Sequence, residues 1–492
     1  MNPQLMVLDR HLRRVLALTR SGNFADASHA LGLVDTSWLE QQPYPNVDPD
    51  VDYLRLRYAT LSAEIADHDG LTLVADKALS KFKKHILSEL REENSSTSPA
   101  RPELWRLSRQ KLLFAWQVAV NRYRYGGNRI EVREILEQAR RRAESLDPIS
   151  DGLLTRLYYA EAKLHLRYSA YTAATTMYRE CLVKASARFS NPQAESISAG
   201  SSSGEELAEL RKIEKDAARY TVAKILTFGL GRAFFEQGRL EEARSVVVAG
   251  ELLLEATHDI IYRVHANLLL GAIERDAASA TDELTLRSAR ARLDDCLVFF
   301  ASKRSHMRLR AEYELGLLEL RVGNFARAEE LIMFAIKEAA RKNRTRWVVN
   351  GKIALSRIAR KRKEYQRAID LAESAFAVAI EHDLPRAKAE ALSAQASALY
   401  EQAIANANDQ RLLLKAESVL YDLLSTCDRR DVKARVMPQL LLTRVRRARY
   451  DIPGAHQAYA EYQMIASDVQ IRRAVEFAEV VRRELYAYPG SA

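Results

Sequence analysis

Arginine and lysine residues supply the most concentrated chemistry in this sequence. Residues 301–370 contain 18 of them against 8 Asp and Glu, and this excess of 10 equals the net charge of +10 for the whole chain. Concentrated charge of one sign creates a local field that attracts an oppositely charged partner. Arginine also donates two parallel hydrogen bonds to a carboxylate or a phosphate. The segment therefore predicts binding of an acidic partner.

The patterns that mark common catalytic and metal sites are missing from the sequence. It has no HExxH pair, no phosphate-binding loop ending in GK[ST], no GxSxG elbow and no CxxC pair. The histidines are scattered, and those within predicted helices, such as His165 and His265, favour a packing role over metal binding. Cys181, Cys296 and Cys427 fall on apolar helical faces, which indicates reduced core thiols. We predict no enzyme activity, no metal and no cofactor.

Composition indicates an all-α chain whose core extends lengthwise. Its 492 residues exceed the size at which a single core stops growing. Only 18 Gly and 12 Pro interrupt it, and alternating β-branched runs are scarce. Charged residues from Asp9 to Arg14 stand where a secretory signal would be apolar, and no stretch approaches the ~18 apolar residues of a membrane span. We expect a cytosolic protein with no membrane partner.

A pair of helices recurs along the chain. In its clearest copy, Gly231 lies in the first helix, Gly238 ends that helix, and Leu240 and Ala243 pack in the second. Gly231 and Ala243 are small, which allows two helices to approach closely, and glycine at 238 can adopt a positive φ. Equivalent small, aromatic and turn positions occur in other copies: Tyr158, Ala162, Tyr171, Ala174, Leu315, Gly316, Gly323, Phe325, Ala328, Leu355, Tyr365, Ala368, Ile452, Ala455 and Tyr459.

These residues resemble the tetratricopeptide repeat family. The alanines that open the second helices, Ala243, Ala289, Ala328, Ala368, Ala416 and Ala455, are 39 to 48 residues apart. This exceeds the family's usual period of ~34 residues and looks like the long-helix variants of bacterial regulatory and sensor proteins. The resemblance implies a right-handed α-solenoid of about nine to ten antiparallel helix pairs. A C-terminal capping helix would close it.

The resemblance also implies which side chains line the concave groove. In this family the first helix of each pair faces the groove, with exposed positions one and four residues after the small residue. That register selects, as partner-binding residues, Lys163, Arg232, Arg275, Arg357, Arg360, Arg444 and Arg447, with the aromatic residues Tyr159, Phe228 and Tyr313 three residues before the small position. Each cation could instead pair with a Glu one turn away, as Glu236 with Arg232.

The predicted organisation follows from the repeats and the segments between them. Helical repeats are expected at 1–92, 103–189 and 207–467, a loop at 93–102, a flexible Ser/Gly-rich insert at 190–206, and the capping helix and tail at 468–492. Residues 19–39 fit a repeat turn but also resemble a helix-turn-helix. Pro43 and Pro45 stop that segment early, which disfavours DNA binding.

Three functions are consistent with these features. The first is a non-catalytic protein-binding scaffold, adaptor or sensor that captures an acidic peptide or protein segment. The second is nucleic-acid binding through the basic residues 301–370, which the sequence pI of about 9.3 favours. The third is a transcriptional regulator with an N-terminal helix-turn-helix. We expect the first.

Overall fold

A computed structural model describes residues 3–20, 24–34, 36, 49–68, 72–91, 102–124, 129–145, 151–167, 170–190, 219–255, 260–279, 281–302, 307–341, 344–427, 432–466 and 472–486. Throughout these ranges the chain forms helices joined by turns, with no strand, which confirms the predicted all-α class. The predicted loop at 93–102 lies outside the described residues except for Pro102, which begins a helix. The predicted insert at 190–206 does so except for Ser190, which ends one.

The chain divides into two compact units. The first consists of Met1–His165, Thr172–Leu230 and Val248–Arg263. The second consists of Leu166–Tyr171, Gly231–Val247 and Val264–Ala492.

The helices before residue 231 are α1 (Pro3–Arg20), α2 (Phe24–Gly32), α3 (Pro49–His68), α4 (Thr72–Arg91), α5 (Pro102–Arg124), α6 (Arg129–Glu144), α7 (Asp151–Arg167) and α8 (Tyr171–Ser190). Residues 219–224 are also α-helical and continue into a π-helical segment, Ile225–Gly231. Within the candidate helix-turn-helix, α2 buries Ala27 and Leu31. The end of that motif, residues 37–39, lies outside the described residues.

The later helices are α9 (Arg232–Gln237), α10 (Leu240–Glu255), α11 (Ile260–Ala277), α12 (Glu283–Ser302), α13 (Arg308–Val322), α14 (Phe325–Arg341), α15 (Thr345–Lys361), α16 (Tyr365–Glu381), α17 (Pro385–Ala405), α18 (Gln410–Thr426), α19 (Val432–Ala448), α20 (Ile452–Ala466) and α21 (Arg472–Tyr486). Odd-numbered helices from α9 to α19 are the first helices of the predicted pairs.

Glycines end the first helices where the sequence predicts it. Gly238 and Gly323 have φ values of 79° and 85°. In both turns the glycine N–H donates to the carbonyl three residues earlier, and the next N–H donates to the carbonyl five residues before its own position. Asn324, for example, donates to the carbonyl of Glu319 at 2.9 Å. These bonds satisfy carbonyl groups that the helix end leaves without partners.

Small residues in the first helices allow the second helices to approach. A Cβ atom added at Gly316 of α13 would lie 2.8 Å from Cδ1 of Ile332 on α14. One added at Gly271 of α11 would lie 2.9 Å from Leu293 on α12. The close approach expected at the small position is therefore present in these two pairs.

First helices of the second unit also pack on one another. Each of α13, α15 and α17 contacts the helix two further along, and α19 contacts α21 in the same way. Ala474, Ala478 and Val481 of α21 are buried in one cluster with residues of α19 and α20. The first helices from α13 onward therefore form a continuous layer, and α21 takes the place of a further first helix at its end.

Candidate binding site

The predicted groove residues of the first unit lie beside aromatic rings. The ammonium group of Lys163 is 4.6 Å from the centroid of the Tyr159 ring, a distance at which an aromatic ring attracts a cation. Phe228 packs edge-on against Tyr262, with ring centroids 5.0 Å apart. All of these side chains are partly exposed. Their part in partner binding stays a prediction.

Three predicted groove residues of the second unit are buried, so the predicted register is wrong at these positions. Arg275 is 6% exposed, Tyr313 8% and Arg360 9%. Tyr313 packs against Trp347, with ring centroids 5.4 Å apart, and Arg360 pairs with Glu401. The physical reason is the packing of first helices on one another. Each of the three side chains contacts the next first helix along the layer, and that helix covers it.

Charged side chains on five first helices of the second unit form two ion-paired groups, which we name together the arginine–glutamate network. Its members are Arg232 and Glu236 of α9, Arg275 of α11, Arg310 and Glu314 of α13, Arg357 of α15, and Arg386 and Glu390 of α17. Arg310 of one group interacts electrostatically with Arg232 and Glu236 of the other. Five arginines stand against these three glutamates and Asp276, which bonds Arg275, so an excess of one positive charge remains.

One end of the network is centred on Glu390. Arg386 donates from Nε to Oε1 of Glu390 at 3.0 Å, and Arg357 donates from Nη2 to Oε2 at 3.4 Å. Burial raises the pKa of Glu390, but Arg386 and Arg357 outweigh it and hold that pKa below its ordinary value. Glu390 is therefore ionised at neutral pH. Nη1 of Arg386 also lies 3.9 Å from Oε2 of Glu236, which joins this end to α9.

The other end of the network is centred on Glu314. Arg275 donates from Nη1 to Oε2 of Glu314 at 2.6 Å, and its Nη2 lies 2.8 Å from Asp276. Burial lowers the pKa of Arg275, yet these two carboxylates raise it above its ordinary value. Nε of Arg310 is 4.0 Å from Oε1 of Glu314. Arg232 pairs with Glu236 one turn away, which is the alternative that the sequence left open for that residue.

Arg444 is already engaged by the terminal helix. It donates from Nε and Nη2 to the two carboxylate oxygens of Glu484 on α21, both at 2.8 Å. Its guanidinium also lies over the rings of Tyr400 and Phe477, at 5.0 Å and 5.5 Å. Arg447 is partly exposed and forms no ion pair with the residues that the structure describes.

Within the described ranges, eight of the 18 basic residues of the stretch 301–370 pair with glutamates. The arginines within 4.0 Å of a glutamate oxygen are Arg308, Arg310, Arg327, Arg341, Arg357, Arg360, Arg362 and Arg367. Two of these glutamates, Glu390 and Glu401, lie beyond residue 370 and so were not counted in the local charge. Counting these two lowers the local excess only from 10 to 8, so the segment keeps most of its positive charge.

Sequence reasoning missed Arg310 and Arg386. The groove register selected only positions after the small residue, whereas Arg310 precedes Gly316 in α13. Arg386 lies in α17, for which no repeat copy was identified. The spacing of Arg386 and Glu390, four residues apart at the start of a helix, was the available signal.

Metal and membrane sites were also sought in the described part of the chain. No group of three or more His, Cys, Asp or Glu side chains there could hold a metal ion. Within the same ranges, no helix has the length and apolar character that crossing a bilayer requires.

Comparison with known proteins supports the fold. No protein-family model and no curated protein matches the sequence. Among solved structures, a Rap protein complexed with Competence and Sporulation Factor covers 86% of this chain and 99% of its own, with 12% identity and a TM-score of 0.54. The apo form of RapI covers 86% and 98% at 10% identity and a TM-score of 0.46. Yeast Tom70 covers 97% and 96% at 12% identity and 0.43.

The similarity to the Rap protein at a TM-score of 0.54 shows a shared fold. Together with the glycine-capped pairs and the layer of first helices, it makes this chain a tetratricopeptide-like helical-repeat protein.

Proposed function

We propose that the chain is a non-catalytic, cytosolic interaction scaffold, an adaptor or sensor, that binds an acidic peptide or protein segment on the arginine–glutamate network. The observation that supports this proposal is the composition of the network. Five arginines and three glutamates lie on one series of first helices, and once Asp276 beside Arg275 is included, one positive charge is left for an acidic partner.

The network is suited to binding because its charges are held in place. Ion pairs between helices fix the arginine side chains, so a partner need not order them, and less entropy is lost on binding. The end of the network around Glu390 is also accessible in part. The side chains of Arg357 and Glu390 are 28% and 30% exposed. At such half-buried positions a carboxylate interacts with a guanidinium more strongly than it does in bulk water.

The fold supports the same class of function. The Rap protein that shares it is complexed with Competence and Sporulation Factor. A preformed helical-repeat surface is a common way to capture an extended or helical segment of another molecule. Nothing in this use requires a cofactor.

Fluorescence anisotropy with a short labelled peptide of Glu and Gly, blocked at both termini, would test the proposal. We expect Arg357→Gln to weaken binding about tenfold, because one charge-assisted hydrogen bond is lost. The matched control is Arg287→Gln, which removes a cation from an exposed pair with Glu283 on α12. Equal affinities for the two variants would remove the network from consideration. Tighter binding of duplex DNA than of the peptide would favour the nucleic-acid hypothesis instead.

A further inference from the structure

Arg310 is a largely buried cation whose hydrogen bonds are incomplete. Its side chain is 17% exposed, and its Nε and Nη2 atoms are buried without a hydrogen bond to any residue of the described ranges. Among the described residues, Glu314 supplies the one carboxylate in ion-pairing range of Arg310, and its Oε1 is 4.0 Å from Nε, beyond hydrogen-bonding distance. Nη1 of Arg232 is likewise buried without a hydrogen bond, while its Nη2 pairs with Glu236.

Arg275 provides the contrast, because its side chain is even more buried yet fully compensated. That side chain is 7% exposed and bonds both Glu314 and Asp276.

Arg310 keeps its charge in spite of its burial. Burial and then the nearby Arg232 lower the pKa of Arg310 to about 10, although Glu314 and Glu236 oppose this. Arg310 is therefore still charged at neutral pH. A buried N–H without an acceptor destabilises the fold, and more so when it belongs to a charged group.

The atoms without acceptors define the shape of what would complete the site. Nε and Nη2 form one edge of a guanidinium and point the same way, so together they fit the two oxygens of a carboxylate. Arg232 and Arg346 add positive charge at Arg310. Glu314 is bonded by Arg275 and Glu236 by Arg232, so neither is available to neutralise it fully.

We propose that the Nε–Nη2 edge of Arg310, assisted by Nη1 of Arg232, binds one carboxylate group of the captured segment. A carboxylate is favoured over a phosphate because Glu314 and Glu236 lie beside the site and repel a second negative charge. The inference rests on the proposed function, since the site belongs to the same network. It adds the chemical group recognised and the residue that recognises it.

Thermal unfolding in acetate or phosphate, each replacing chloride at constant ionic strength and neutral pH, tests the site without the partner. A ligand that binds only the folded state raises the unfolding midpoint in a saturable way. We expect this rise with acetate for the unmodified chain and for Arg287→Met, and its loss in Arg310→Met. Without acetate, Arg310→Met should unfold no earlier than the unmodified chain, because the substitution removes a buried cation that lacks acceptors.

A second variant, Arg310→Lys, keeps the charge but removes the two-atom edge, and should lose most of the acetate response. An acetate response that is absent from the unmodified chain, or equal in Arg310→Met, would overturn the site. A larger response to phosphate would overturn the carboxylate assignment. If acetate stabilises the chain through Arg310 but the Glu/Gly peptide does not bind, the proposed function fails and the site stands. If the peptide binds and acetate has no effect, the proposed function stands and the carboxylate site at Arg310 fails.

Discussion

Arg275 donates a hydrogen bond from Nη1 to Oε2 of Glu314 at 2.6 Å, and this bond joins two consecutive first helices, α11 and α13. Glu314 also lies 4.0 Å from Arg310, so one carboxylate serves two buried arginines. Removing Glu314 should therefore destabilise the fold more than removing Arg275. After Glu314→Gln, Arg310 loses its nearby carboxylate and Arg275 keeps only Asp276, whereas after Arg275→Met the carboxylate can still turn to Arg310.

We expect Glu314→Gln to lower the free energy of unfolding by about 3–5 kcal/mol, the usual cost of breaking a buried ion pair, and Arg275→Met to lower it less. Urea unfolding monitored by circular dichroism measures both. The control is Glu283→Gln, since Glu283 and Arg287 are 76% and 75% exposed and such pairs contribute ~0–1 kcal/mol. Equal losses for the two buried substitutions would contradict the shared role of Glu314.

Lys363 occupies the turn position that glycine occupies in the preceding repeat. Its φ is 65°, against 85° for Gly323, and its turn has the same hydrogen bonds three and five residues back. A non-glycine residue in this conformation destabilises the folded chain by about 1–2 kcal/mol. Glycine avoids that strain but loses more conformational entropy on folding, which offsets part of the difference.

Lys363→Gly should therefore raise the free energy of unfolding by up to ~1 kcal/mol, and Gly323→Ala should lower it by a similar amount. Chemical denaturation of both variants measures the pair. Lys363 is exposed, so the change removes little packing. A loss of stability in Lys363→Gly would show that the lysine side chain matters more than its backbone strain.

The turns and close contacts were predictable from sequence, but the binding network was not. The difference lies in how far apart in the sequence the interacting residues are. Gly323 and Gly316 act on their own helix and its nearest neighbour, so residue type and repeat spacing suffice. The pairs of the network join residues 33 or 39 positions apart, Arg357 with Glu390 and Arg275 with Glu314. A repeat register assigns a residue to the first-helix face, yet whether the next first helix covers it depends on packing. That is why Arg275 and Arg360 were placed in solvent.

A substitution at Gly316 would test the close approach of α13 and α14. Its added Cβ would lie 2.8 Å and 2.9 Å from two atoms of Ile332, a fully buried residue. Gly316→Ala should cost ~1–3 kcal/mol through overpacking, measured by chemical denaturation. At Gly32, which ends α2, an added Cβ meets nothing within 4 Å. Gly32→Ala should therefore cost nothing, and an equal cost at both sites would point to a backbone effect.

The three thiols should differ in reactivity. Cys181 and Cys296 are buried, 0% and 1% exposed, as predicted for core thiols. Cys427 is partly exposed and lies one residue beyond the end of α18, but it packs against the hydrophobic core there, in agreement with its predicted apolar surroundings. Burial and the nearby Glu180 raise the pKa of Cys181 to about 12, and only the thiolate reacts readily.

We expect a thiol reagent such as DTNB, at slightly alkaline pH, to modify Cys427 in the folded chain and to reach Cys181 and Cys296 only after denaturation. Peptide mass mapping after a timed reaction identifies the modified residue. Cys427→Ser should abolish the fast phase. A fast phase that survives this substitution would mean that the core around Cys181 or Cys296 opens more readily than its burial indicates.

Glu390 should make the chain sensitive to acid. Its pKa lies below the ordinary value of 4.5 because Arg386 and Arg357 outweigh burial. A carboxylate with a lowered folded-state pKa stabilises the fold above its unfolded-state pKa, and this stabilisation disappears as the pH falls through the folded-state value.

In Glu390→Gln that contribution is missing at every pH. The variant should be less stable than the unmodified chain at neutral pH, and the gap should narrow as the pH falls below about 4.5. Urea midpoints across this range measure the gap, with Glu283→Gln as the exposed control. A gap that stays constant with pH would show that Glu390 acts through packing and not through its charge.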